Sequence, residues 1–208
     1  MIRTEHREEK FIFPFVEYAP KNKREGMPLI VQLHGAGERG EGGDDLVLVD
    51  EHGFSNVIPE KEIDAIFVMP QCPANTFWAA RVESIVKFIE TVIEEYKIDK
   101  KRVYLLGLSM GGYGTWFTAM ARPDLFEAIA PVCGGGMAWN ASMLTMPVWA
   151  FHGALDTTVS FNQSKEMIDK LTALGRDVKF TVFENEGHSI QTLAMTEELI
   201  DWLLSKKK

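Results

Sequence analysis

Cysteine is scarce in this chain: Cys72 and Cys133 are the only two among 208 residues. They fall at the ends of separate predicted strands, too few and too far apart for a disulfide framework or a zinc site. Two reduced thiols in a cytoplasmic protein are therefore expected. No apolar run reaches the length of a transmembrane helix, and Met1 to Lys10 lacks the apolar stretch of a signal peptide. Basic residues are in deficit, 22 Lys and Arg against 30 Asp and Glu, for a net charge of −8. That balance argues against nucleic acid as the main partner and gives no reason to expect an anionic membrane surface. Repeats, low-complexity tracts and linker-like stretches are missing, so residues 1–208 read as one domain with no internal boundary. The glycine-rich loop after Leu33 has no G-K-[ST], which excludes a P-loop. Its G-x-G lacks the third glycine and the acidic partner of a dinucleotide fold. Neither a cofactor nor a metal is expected, and the oligomeric state is not readable.

What the chain does have is alternation. Short apolar runs at Leu29–Leu33, Ala65–Met69, Val103–Leu106, Ala128–Cys133, Val148–Phe151 and Lys179–Phe183 read as strands, the apolar ones covered on both faces. Phe11–Tyr18 is β-rich but carries Pro14, which suits an edge strand or hairpin. Between the strands, Val82, Ile85, Val86, Ile89, Ile93 and Tyr96 recur at three- and four-residue steps, a helical face. Further helices are expected over Tyr113–Ala121, Gln163–Leu174 (stopped by Gly175) and Leu193–Leu204. This pattern predicts an α/β fold with a mostly parallel sheet and helices on both faces. Ligands bind such sheets at the carboxyl ends of the strands, where all the notable loops lie.

The most informative stretch is Gly107-Leu-Ser109-Met-Gly111. A strand leads into a glycine-flanked serine and a helix follows, the context of a nucleophile elbow. Side chains at 107 and 111 would collide with the neighbouring strand and helix. Serine needs a base, and the base needs a group to orient it. The strand at Val148 leads to Asp156, and the last strand leads to His188. Ser109, Asp156 and His188 thus follow in the chain order of the α/β-hydrolase triads. Glu184, Glu186 and Asp124 are rivals for the acid, and His152 and His34 for the base; the two histidines better suit bracing a turn. His6 and His52 read as surface residues. The N–H of Met110 is the first expected oxyanion donor. Ala36 is chosen for the second, with Gly35 or Gly37 as alternatives.

Taken together, Gln32–Gly40, Pro70–Pro73 with Trp78, Gly107–Gly112, His152–Asp156 and Gly187-His188 resemble the small carboxylesterases of the α/β-hydrolase superfamily. The likeness is to the phospholipase/carboxylesterase branch and the feruloyl-esterase and polyhydroxybutyrate-depolymerase-like proteins, and it spans Leu29 to the C-terminus. It implies Ser109 as nucleophile, Asp156 as acid, His188 as base, and Ala36 and Met110 as oxyanion donors.

Only Gly134 to Met146 separates Cys133 from Pro147, too little for a cap domain. An open site for soluble, small-molecule esters is expected. Trp78, Gly35 and Trp139 are the substrate-binding candidates, with Phe77, Met137 and Met143 nearby, a lining suited to short acyl or aryl groups. Glu38, Asp44 and Asp45 read as a solvated acidic loop at the mouth. The expected activity is that of a serine carboxylesterase; a peptidase or amidase using the same groups, and a catalytically silent binding module, are the alternatives.

Overall fold

The computed structural model describes residues 1–58 and 61–207. Eight strands form one sheet: β1 (Ile2–His6), β2 (Phe15–Ala19), β3 (Leu29–Leu33), β4 (Ile66–Pro70), β5 (Val103–Leu108), β6 (Ala128–Val132), β7 (Val148–Gly153) and β8 (Val178–Phe183). Their order is β1-β2-β4-β3-β5-β6-β7-β8. The β1–β2 and β2–β4 pairs are antiparallel and the rest parallel. Every residue of β3 to β7 is buried, as their unbroken apolar runs require. The fold is a single-domain α/β architecture with apolar clusters on both faces of the sheet.

One face is covered by α1 (Val82–Tyr96), α2 (Met110–Ala121) and α3 (Asn162–Ala173). Helix α1 buries Ile85, Phe88, Ile89, Val92 and Ile93, one stripe at helical spacing. Each such side chain stabilises the fold by roughly 1.5–3 kcal/mol relative to exposure. The other face carries α4 (Gln191–Ala194) and α5 (Glu197–Ser205), with Leu199, Ile200 and Leu203 turned inward. Among the described residues, no helix is long and apolar enough to cross a membrane.

Three elements differ from the sequence reading. The segment expected over Phe11–Tyr18 as an edge strand or hairpin is the second arm of a hairpin with β1, but not the edge: β2 starts at Phe15, after Pro14, and pairs on both sides. The edge is β1, whose polar, partly exposed IRTEH has no apolar period to announce it and carries the charge that protects an open edge. The expected final helix is two helices, broken at Met195-Thr196, where Glu197 and Glu198 favour a new first turn. Helix α2 begins three residues before Tyr113, because Gly111 and Gly112 conceal its first turn.

The connection from β6 to β7 holds only a short 3-10 helix, Ala138–Met143, and no cap is built among the described residues. Strand order reverses between β3 and β5, whose register sets Leu33 beside Gly107. This switch point places the loop after β3 against the loop after β5.

Candidate active site

Ser109 follows β5 with φ 56° and ψ −114°, a conformation that costs a non-glycine residue strain. The fold over-determines it. Ser109 N–H donates to the Val132 carbonyl at 2.8 Å, and its own carbonyl accepts from Tyr113 N–H at 3.0 Å in the first turn of α2. The flanking glycines are required by close approach: a Cβ on Gly111 would fall on the Leu33 carbonyl, and one on Gly107 on the Gly111 carbonyl.

The hydroxyl raised by this turn meets an imidazole. His188 Nε2 lies 2.8 Å from Ser109 Oγ, and His188 Nδ1 lies 2.7 Å from Asp156 Oδ2. His188 sits in the loop after β8 and Asp156 in the loop after β7, so three strand ends converge. Asp156 is buried, and burial alone would raise its pKa. The hydrogen bond with His188 and those from the N–H groups of Val159 (2.9 Å) and Thr158 (2.8 Å) outweigh it, holding the carboxylate below its ordinary range.

The rivals are occupied elsewhere. Glu184 and Glu186 are exposed, and Asp124 pairs with Arg122 at 2.9 Å. His34 and His152 brace turns. His34 Nδ1–H donates to the Gly35 carbonyl at 2.6 Å and Nε2 accepts from Cys72 N–H at 2.9 Å. Burial pushes its pKa down to about 4. His152 pairs with Ser164 Oγ at 2.7 Å and the Val159 carbonyl at 3.0 Å, with Nε2 also 3.2 Å from Asp156 Oδ2.

Met110 opens α2, so its N–H has no partner in the helix. Ala36 lies in the loop after β3, in the wall of the cavity over Ser109. Neither N–H donates to another group among the described residues. Gly35, in the same loop, approaches the serine: a Cβ there would fall 3.9 Å from Ser109 Cβ.

A cavity of about 300 Å³ opens over Ser109 and His188, walled by Gly35, Ala36 and Gly37 and by polar side chains, among them Glu38, His52, Thr158, Ser189 and Gln191. The aromatic candidates are not in that wall. Trp78 is fully buried: its ring packs edge-on against Phe13, and its Nε1–H donates to the His34 carbonyl at 3.0 Å. It braces the loop from beneath and does not touch the cavity. Trp139 is 78% exposed on the β6–β7 connection and also lies outside the wall, as do Phe77, Met137 and Met143.

Two further expectations are corrected. Glu38 is not solvated; it is buried, with Oε1 2.7 Å from His52 Nδ1. His52, at the surface as expected, also lines the cavity, whereas His6 is mostly buried and stacks on Phe15 at 4.4 Å between ring centroids. Sequence reasoning missed this Glu38–His52 pair because its members are far apart in the chain and carry no local motif.

Cys133, Asp156 and His188 each bring a metal-ligating atom within 4.8 Å of the others. An ion there would have to displace the His188–Asp156 contact. Burial pushes the Cys133 thiol up to about 12. Both cysteines are free and buried.

Residues 47–195 match the model of the dienelactone hydrolase family. The chain belongs to that family. Such a hydrolase has esterases among its relatives, in keeping with the carboxylesterase likeness of the motifs. A bifunctional acetylxylan esterase/xylanase from Neocallimastix patriciarum is 32% identical over 152 residues, covering 70% of this chain and 22% of that protein. A poly(3-hydroxyalkanoate) depolymerase C from Paucimonas lemoignei is 28% identical over 134 residues, covering 61% and 32%. The chain thus spans well under half the length of either. The crystal structure of a thermostable esterase superposes with a TM-score of 0.81 at 29% identity, covering 100% of this chain and 63% of that one. An acylaminoacyl peptidase from Pyrococcus horikoshii shares the fold at TM-score 0.74 and 14% identity.

Proposed function

We propose that this member of the family is a serine carboxylesterase that cleaves short-chain esters through an acyl-enzyme. The observation that carries the reading is the hydrogen-bonded row Ser109–His188–Asp156, with contacts of 2.8 and 2.7 Å. In the first half-reaction Ser109 Oγ attacks the ester carbonyl carbon while His188 Nε2 takes the hydroxyl proton. The carbonyl oxygen becomes an oxyanion facing the N–H groups of Ala36 and Met110, and the dipole of α2 favours charge at that spot. Collapse breaks the bond to the alcohol oxygen, which leaves with the proton from His188. Water then attacks the acyl group, His188 takes its proton and returns it to Ser109, and the carboxylic acid departs. Asp156 holds the imidazole in the tautomer that makes both transfers possible.

Ser109→Ala tests this directly. Turnover of nitrophenyl acetate falls by about 10⁴-fold or more while the fold persists. A fluorophosphonate labels the unaltered protein and not the variant. Full turnover in Ser109→Ala ends the proposal.

Amide hydrolysis by the same groups is the second reading. It is favoured by a relative named dipeptidyl peptidase family member 1, from Caenorhabditis elegans, 24% identical over 212 residues. Comparing an acyl anilide with the matching phenyl ester separates the two: an esterase cleaves only the ester at a useful rate.

A further inference from the structure

The wall of the cavity that His188 lines also holds a second histidine, His52, whose backbone the fold secures. The buried Gln32 side chain, at the end of β3, donates from Nε2 to the His52 carbonyl at 2.9 Å and accepts Phe54 N–H at Oε1 at 3.0 Å. Gly53, between them, has φ +110°, and any Cβ there would strike the Gln32 amide. These contacts fix the backbone of His52. Its ring stands against the buried Glu38 carboxylate: Oε1 lies 2.7 Å from Nδ1 but out of hydrogen-bonding alignment, so Nδ1 is held by proximity to the carboxylate and not by a hydrogen bond. The other oxygen, Glu38 Oε2, is buried with no hydrogen-bond partner and lies against Gly35, 3.1 Å from where a Cβ would stand. The same point is 3.9 Å from Ser109 Cβ, so carboxylate and nucleophile flank one residue. The His52 side chain keeps 39% of its surface exposed, in the cavity wall, and its Nε2 meets no partner among the described residues.

We infer that His52, positioned by Glu38, binds the alcohol side of the substrate and selects esters whose alcohol carries a second hydroxyl. The inference rests on the serine-esterase reading. His188 must hand a proton to the leaving oxygen, so the alcohol occupies the cavity that His188 lines. There it meets a wall that is largely apolar surface, Leu108 included, in which Nε2 of His52 and the side chains of Thr158, Ser189 and Gln191 are the polar groups. A hydroxyl both donates and accepts, so it satisfies an imidazole nitrogen in either protonation state. An alkyl group in that place offers the nitrogen no partner and leaves it to water, so the hydroxyl-bearing ester gains one hydrogen bond that the alkyl ester lacks.

The test is a matched pair, glycerol monoacetate and propyl acetate, of similar size and differing in the two hydroxyls. The unaltered protein prefers the glycerol ester by about three- to tenfold in kcat/KM. His52→Ala brings that ratio close to one, and His52→Gln, which retains a donor and an acceptor, keeps most of it. Glu38→Gln lowers the ratio chiefly through KM, because the ring loses the charge that orients it. Equal rates on both esters in the unaltered protein, or a ratio unmoved in His52→Ala, overturn the inference. If neither ester is cleaved and fluorophosphonate fails to label Ser109, the esterase reading itself falls and takes the inference with it.

Discussion

His152 Nε2 stands 3.2 Å from Asp156 Oδ2, the same oxygen that meets His188 Nδ1 at 2.7 Å. One carboxylate therefore faces two imidazoles, one fully buried and one reaching the cavity. The two should respond differently to substitution. Asp156→Asn keeps the shape but offers His188 the wrong group for its tautomer, and kcat falls by about 10³–10⁴-fold. His152→Phe leaves Asp156 held by the N–H groups of Thr158 and Val159, so kcat falls far less. Its cost is in stability, about 1–3 kcal/mol, because the Val159 carbonyl loses a buried donor. Steady-state kinetics with urea unfolding on both variants checks the split; equal losses of kcat would contradict it.

Backbone crowding at the elbow gives a second contrast. Gly111→Ala drives a methyl into the Leu33 carbonyl, and backbone on both sides must move. A loss of about 2–4 kcal/mol is expected, with activity falling as the turn shifts. Gly37→Ala meets nothing within 4 Å and has no left-handed φ to relieve. Its stability stays within about 0.5 kcal/mol of the unaltered protein. Thermal unfolding of the two variants measures the difference.

These contrasts bear on how much could be seen in the residues alone. The central strands were legible because burial on both faces demands unbroken apolar runs, and the elbow because close approach admits only glycine at 107 and 111. Strand β1 was hidden, since an edge can be stabilised by main-chain pairing with no apolar pattern. Trp78 was misjudged for a related reason: a tryptophan beside a site can face the cavity or support the loop from below, and spacing does not distinguish the two. The Glu38–His52 pair depends on the loop after β3 packing against a segment many residues later, a tertiary fact without a local sign.

Acid sensitivity follows from His34. Its folded pKa is lowered to about 4 from an ordinary 6.5, so the unfolded chain binds more protons between those values. The stability from the neutral, buried ring is fully present above about pH 6.5 and is lost as pH falls toward 4. The loss from this group is about 3 kcal/mol at the lower end. Urea unfolding from pH 7 to pH 4 should show it, and His34→Gln should have a flatter profile over that window. An identical slope in the variant would assign the acid sensitivity elsewhere.

The central claim is that Ser109 becomes covalently acylated during turnover. Rapid mixing with nitrophenyl acetate, acid quench and peptide mass spectrometry test it in one experiment. A burst of nitrophenol approaching one equivalent per chain, with the acetyl group on the peptide bearing Ser109, is the predicted result. Turnover without a burst and without any adduct on that peptide, undiminished in Ser109→Ala, would contradict it.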